Sequence, residues 1–152
     1  MLRLRIALVV FWAILWCVSL SLPVVMMGPN PDHAWRGVIV LMLGWAGIPS
    51  QLGWLANLTL PGVAVLSLVR DAPVVLRVGA AVVQIGLAVN ALFWDWVADE
   101  GGVRSIEAFG PGYYLWLGVM VGSAVVLLAV TMSDVRRSKS ASYRINSRGA
   151  VD

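Results

Sequence analysis

Long apolar runs dominate this chain, and the few polar positions divide it into segments of membrane-crossing length. A helix rises about 1.5 Å per residue and a hydrocarbon core is about 30 Å thick, so about 20 apolar residues make one crossing. Three segments meet that requirement directly. Ile6 to Met27 is uncharged, with Cys17, Ser19 and Ser21 as weakly polar interruptions and Pro23 near its far end. Val78 to Val97 passes through Gln84, Asn90 and, near its far end, Asp95. Tyr113 to Met132 is uncharged throughout.

The stretch Val38 to Val69 is apolar but too long for one straight crossing, at about 48 Å of helix. Pro49, Ser50, Gln51 and Gly53 interrupt it once, and Asn57, Thr59, Pro61 and Gly62 interrupt it again. Each proline removes a backbone donor and clashes with the preceding turn. The segment therefore reads either as one kinked crossing with an interfacial arm or as two short crossings packed as a hairpin.

Composition agrees with lipid as the solvent. The 152 residues are 60 % hydrophobic and 12 % charged, with a mean hydropathy of +0.85; a soluble domain has about half its residues apolar and about a quarter charged. The expected fold class is an all-α polytopic transmembrane helical bundle of four crossings, with five as the alternative, one crossing being broken by Pro49 and Pro61. The transmembrane domain covers residues 1–132. Residues 133–152 read as a basic, disordered cytoplasmic tail.

Charge placement decides the orientation, because cytoplasmic loops are enriched in Lys and Arg. With four crossings and an inner N-terminus, Arg3, Arg5, Arg70, Arg77, Arg136, Arg137, Lys139, Arg144 and Arg148 share the cytoplasmic side, leaving Arg36 and Arg104 outside. Five crossings with an outer N-terminus divide the eleven basic residues eight to three, a weaker bias. Both termini are thus expected in the cytoplasm of a plasma or bacterial inner membrane. Arg3 and Arg5 before a long apolar run resemble a signal sequence, but Ser19-Leu20-Ser21 lies inside the run, so the segment reads as an uncleaved signal anchor. Trp35, Trp94, Trp96, Tyr113, Tyr114 and Trp116 fall near outer span ends and read as an interfacial belt.

Candidate chemistry is sparse. A lone cysteine, Cys17, and a lone histidine, His33 beside Asp32, offer no metal-ligand spacing. Asp95 and Asp99, four apart, would share a helix face, as a cation site or simply as solvated carboxylates. Gln84, Ala88, Ala91 and Asp95 form one helical stripe, with Asn90 beside it; such a face serves as interhelical glue or lines a polar path. Gly118 and Gly122 form a Gly-x-x-x-Gly pair suited to close helix packing, within the chain or in a homodimer. Gln51 and Asn57 sit in the broken stretch, and interrupted helices mark binding sites in transporters.

No nucleophile is placed with a base and no phosphate or dinucleotide fingerprint is present, so no enzyme, no cofactor, no metal and no nucleic-acid partner is expected. The expected function is that of a small integral membrane protein without catalytic activity, a structural, accessory or protective partner of another membrane component. The alternative is a small-solute transporter or channel component with a polar path through Gln51, Asn57, Gln84, Asn90 and Asp95.

Overall fold

The structure, a computed structural model, describes residues 2–27, 34–47, 51–99 and 102–148. Five α-helices dominate them: α1 (Leu2–Ser21), α2 (Gly37–Leu43), α3 (Ala56–Leu68), α4 (Val74–Ala91) and α5 (Pro111–Arg148). Three are long and apolar enough to cross a membrane: α1, α4 and the Pro111–Ser138 part of α5. The broken stretch becomes two shorter apolar runs, Gly37–Gly47 and Leu52–Leu68, each containing one turn of 3-10 helix.

The expectation of an all-α chain needs a correction. Five short strands gather at one end of the bundle: β1 (Pro23–Met26), β2 (Ala34–Arg36), β3 (Trp96–Asp99), β4 (Gly102–Ser105) and β5 (Ala108–Phe109). β1 lies centrally, antiparallel to β2 and to β5, with Val25 opposite both Trp35 and Phe109. Pro23 cannot continue α1, and the β-branched pair Val24-Val25 suits the extended backbone that follows. β3 and β4 form a separate hairpin, and Gly102 takes a φ of +116°, a region in which other residues are strained.

Span boundaries shift for local reasons. α4 begins after Pro73, four residues before the expected start, and ends at Ala91 rather than Val97. Its exit is a tightening turn in which the amides of Leu92, Phe93 and Trp94 donate to the carbonyls of Val89, Asn90 and Ala91 at 3.0–3.2 Å. Trp94 is then buried and stacks on Trp116 with 6.0 Å between ring centroids, which draws the chain out of the helical path. Asp95 therefore leaves the Gln84 stripe and is exposed, whereas Gln84, Ala88 and Ala91 are fully buried as one face.

Pro61 does not break its helix. It lies inside α3, where it removes a single backbone donor near the first turns, a defect that packed membrane helices tolerate. Pro49, the other expected break, lies outside the described residues. α5 runs past the expected span end at Met132 and is helical through Arg148. A formed helix extends at little cost per residue, and Ser133, Ser138 and Ser140 donate to carbonyls three or four residues back.

Packing is tightest at the strand end. Tyr113 is 2 % exposed, lies 3.9 Å from Phe109 by ring centroids and donates from its hydroxyl to the carbonyl of Ala91 at 2.8 Å. Trp94, Tyr113 and Trp116 thus form an internal aromatic cluster rather than part of the expected interfacial belt; Tyr114 alone of these neighbours is widely exposed. A second, smaller core of Val63, Ala81, Ala124 and Leu127 joins α3, α4 and α5 lower down. The outward faces carry exposed Phe11, Ile14, Val75, Val82, Val125 and Met132, as a lipid-solvated surface requires.

Gly53 marks the closest approach between the broken stretch and α4. A Cβ built there would stand 2.8 Å from the Cβ and 2.9 Å from the Cα of Ala91, whereas one on Gly118 would meet open space. Gly53→Ala should lower thermal stability in detergent by about 1–3 kcal/mol through overpacking. Gly118→Ala should be neutral or stabilising by up to about 1 kcal/mol; a loss at Gly118 would instead reveal close packing on that face.

Candidate functional site

One end of the bundle is organised by charge. α3 stops at Leu68, and the carbonyls of a last helical turn have no donors within the helix. Two arginines supply donors at and just beyond this end. Arg5 Nη1, from the first turn of α1, donates to the carbonyl of Ser67 at 3.4 Å; Arg77 Nη2, from the first turn of α4, donates to the carbonyls of Val69 and, at 2.6 Å, Arg70. Cations at a helix C-terminus also oppose its partial negative charge.

Both guanidiniums then meet one carboxylate. Arg77 Nη1 donates to Asp134 Oδ2 at 2.8 Å, and Arg5 Nη2 donates to Asp134 Oδ1. Arg77 is 1 % exposed and Arg5 6 % exposed. Desolvating such an ion costs on the order of several kcal/mol, which the bridging carboxylate and the carbonyls of Ser67, Val69 and Arg70 offset. Asp134 lies on α5 just beyond its uncharged stretch, and through it α1, α3, α4 and α5 are tied at a single point. Sequence reading placed Arg5 and Arg77 on one side of the membrane and missed the clamp itself. Its available signal was Asp134, an acid set between an apolar span and a basic segment.

The four amides singled out from sequence all act between elements. Gln51 Nε2 donates to the carbonyl of Trp96 at 2.7 Å, and Asn90 Oδ1 accepts from the Gly53 amide at 2.7 Å. Asn57 Oδ1 accepts from two indoles, Trp16 Nε1 at 3.1 Å and Trp116 Nε1 at 2.9 Å, while its Nδ2 donates to the carbonyl of Trp54 at 3.0 Å. Gln84, fully buried, receives the Thr59 hydroxyl on Oε1 and donates Nε2 to Met120 Sδ at 2.7 Å. These groups are spread over separate contacts.

The remaining candidates separate further. The backbone carbonyl of Asp95 accepts from the Ile106 amide at 2.9 Å, and its side chain is exposed. Asp99 is in β3 and shares no helix with Asp95. Gly122 is covered by Trp12, whose ring would lie 2.3 Å from a Cβ there, so this half of the Gly-x-x-x-Gly pair packs within the chain while Gly118 faces outward. Cys17 is exposed on α1. Asp32, His33 and Glu100 lie outside the described residues.

Between α1 and α3, over a floor formed by α5, runs an apolar slot of about 210 Å³. Arg5 and Ser67 line one end, Trp16 and Asn57 the other, and Leu60, Ala64 and Val126 lie between. Serines along it are masked: Ser67 donates to the Val63 carbonyl at 2.8 Å and Ser123 to that of Met120 at 3.1 Å. Trp12 also lines the slot, and its Nε1 has no partner among the described residues.

Comparison with protein-family models, with curated proteins and with solved structures finds no match.

The clamp carries a direct consequence. Asp134→Asn leaves two buried guanidiniums without their counter-charge and should cost on the order of 3 kcal/mol, read as a lowered unfolding temperature in detergent. Retention of full stability would show that the helix carbonyls suffice.

Proposed function

We propose that the protein is a four-crossing integral membrane protein of a plasma or bacterial inner membrane, with both termini cytoplasmic, that acts without catalysis as an accessory or protective partner of another membrane component. The crossings are α1, the Leu52–Leu68 run, α4 and α5, with Gly37–Gly47 as a short arm at the outer end. Support for the fourth crossing comes from the contacts at the two ends of Leu52–Leu68. Gln51 and Gly53 bond to Trp96 and Asn90 near the strands, and Ser67 bonds to Arg5 at the clamp. At about 1.5 Å per α-helical residue and about 2 Å per 3-10 residue, the run extends about 27 Å, close to a hydrocarbon thickness. Basic residues cluster at the clamp end, while Arg36 and Arg104 lie in β2 and β4 at the other, which supports a cytoplasmic clamp.

The observation that carries the accessory role is the internal use of the polar groups. Gln51, Asn57, Gln84 and Asn90 spend their hydrogen bonds on neighbouring elements, which rigidifies the bundle and leaves the exposed apolar faces as its means of contact. The transport alternative draws less support, because of these four amides only Asn57 borders the slot.

Cross-linking in membranes, extraction in mild detergent and identification of co-purifying proteins tests this reading. A membrane protein recovered in fixed proportion is expected, together with cytoplasmic activity of a reporter fused after Arg148. Solute flux in reconstituted vesicles that disappears in Gln84→Leu with Asn90→Leu, without loss of the fold, would overturn the accessory role. Reporter activity confined to the outer side would overturn the topology.

A further inference from the structure

The slot between α1 and α3 is pinned shut at both ends. Trp16 Nε1 reaches Asn57 Oδ1 at 3.1 Å at one end, and Arg5 Nη1 reaches the Ser67 carbonyl at 3.4 Å at the other. The two links are eleven residues apart along α1 and ten along α3, so the opening is about 15–17 Å long. At each end the two helices are linked through side chains. That length suits a hydrocarbon chain laid along α1.

The interior suits that guest. The walls are aliphatic and aromatic, the serine hydroxyls are turned back onto their own helices, and the volume of about 210 Å³ exceeds the ~150 Å³ of a dry apolar cavity that admits a benzene-sized molecule. Pro61 and Ala64 on α3 and Ala13 on α1 keep the walls thin.

The rim at one end supplies the complementary charge. Arg5 lines the slot there, and Arg3, Arg70 and Arg136 are exposed around the same end, against the acids Asp71 and Asp134 among the described residues. Asp134 is shared between Arg5 and Arg77, so the clamp keeps an excess positive charge. Guanidiniums match phosphate oxygens in geometry as well as charge.

We propose that this slot is a binding site for one acyl chain of an anionic phospholipid, with the lipid phosphate at the arginine rim. The site rests on the membrane reading above and requires no protein partner. The lipid stands in the slot parallel to α1, chain toward Asn57 and headgroup at the level of Arg5.

The test uses the full-length protein in mild detergent with a phosphatidylglycerol carrying a photoreactive group on its acyl chain. Peptide mapping should find the label concentrated in residues 5–16 and 57–67. Excess unlabelled phosphatidylglycerol should abolish it at a concentration about tenfold lower than phosphatidylcholine. Ala64→Phe, which fills the slot, should remove the label while the unfolding temperature is maintained. If that variant fails to fold, the mapped position and the headgroup competition in the unmodified chain still decide.

Label spread evenly over the exposed faces of α1, α4 and α5 and insensitive to competitor would overturn the site. Equal competition by phosphatidylcholine would overturn the anionic specificity. Label excluded from the slot by dimerisation of the chain would identify a second copy as the occupant and overturn the proposal. A chain that stays in solution without detergent would overturn the membrane reading, which is separable from any of these results.

Discussion

A carboxylate shared by two buried arginines sets the geometry of one whole end of the bundle. Asp134 pairs with Arg5 and Arg77 together, and each arginine also caps a carbonyl at or beyond the end of α3. Four helices converge on this point, and none of its members tolerates independent movement. If α5 rotated away, two cations would lie desolvated with no counter-ion. If α3 shifted along its axis, its terminal carbonyls would lose their donors. Apolar packing in lipid is weakly discriminating, since a leucine gains little by exchanging a lipid tail for a side chain. The clamp fixes which helix ends meet, and the apolar surfaces then pack around that fixed relation.

At the opposite end the same task falls to backbone pairing and aromatic stacking. β1 joins the exit of α1 to the entry of α5 through β5, and Gly110 donates its amide to the Val24 carbonyl at 2.9 Å. Tyr113 and Trp94 close over the end of α4. Between the two ends, isolated amide bonds such as those of Asn57 and Gln84 hold the register. The slot between α1 and α3 survives because these two helices are fastened at its two ends and α5 alone supplies its floor.

Features with a local physical cause were legible in the sequence. The uncharged runs announced the long helices, and the 3.6-residue period of Gln84, Ala88 and Ala91 identified the buried face of α4 correctly as far as the helix extends. Asp95 fell off that stripe because the helix ends where Trp94 turns inward, and the partners of Trp94, on α5, are remote in sequence. Pro61 looked like a break because proline costs a bond in an isolated helix; packing on α4 and α5 absorbs that loss. Arg5 read only as a cytoplasmic-side charge ahead of a signal anchor because its partner lies 129 positions away, on a segment whose composition resembles a solvated tail. The strands were hidden for a similar reason: three of them form a sheet only when α1 and α5 have brought β1 and β5 side by side.

The separation between Arg5 and Asp134 also gives the clamp a place in time. A ribosome adds about 5–20 residues per second, so on the order of ten seconds pass between the appearance of the arginine and that of its counter-ion. Throughout that interval α1 exists with a cation near its first turn that must remain hydrated, and this holds the segment at the water boundary with its apolar length free to enter lipid. Arg77 waits in the same way at the start of α4. Arrival of α5 delivers the carboxylate to both at once. Formation of α5 thus converts two separate surface charges into a buried lock.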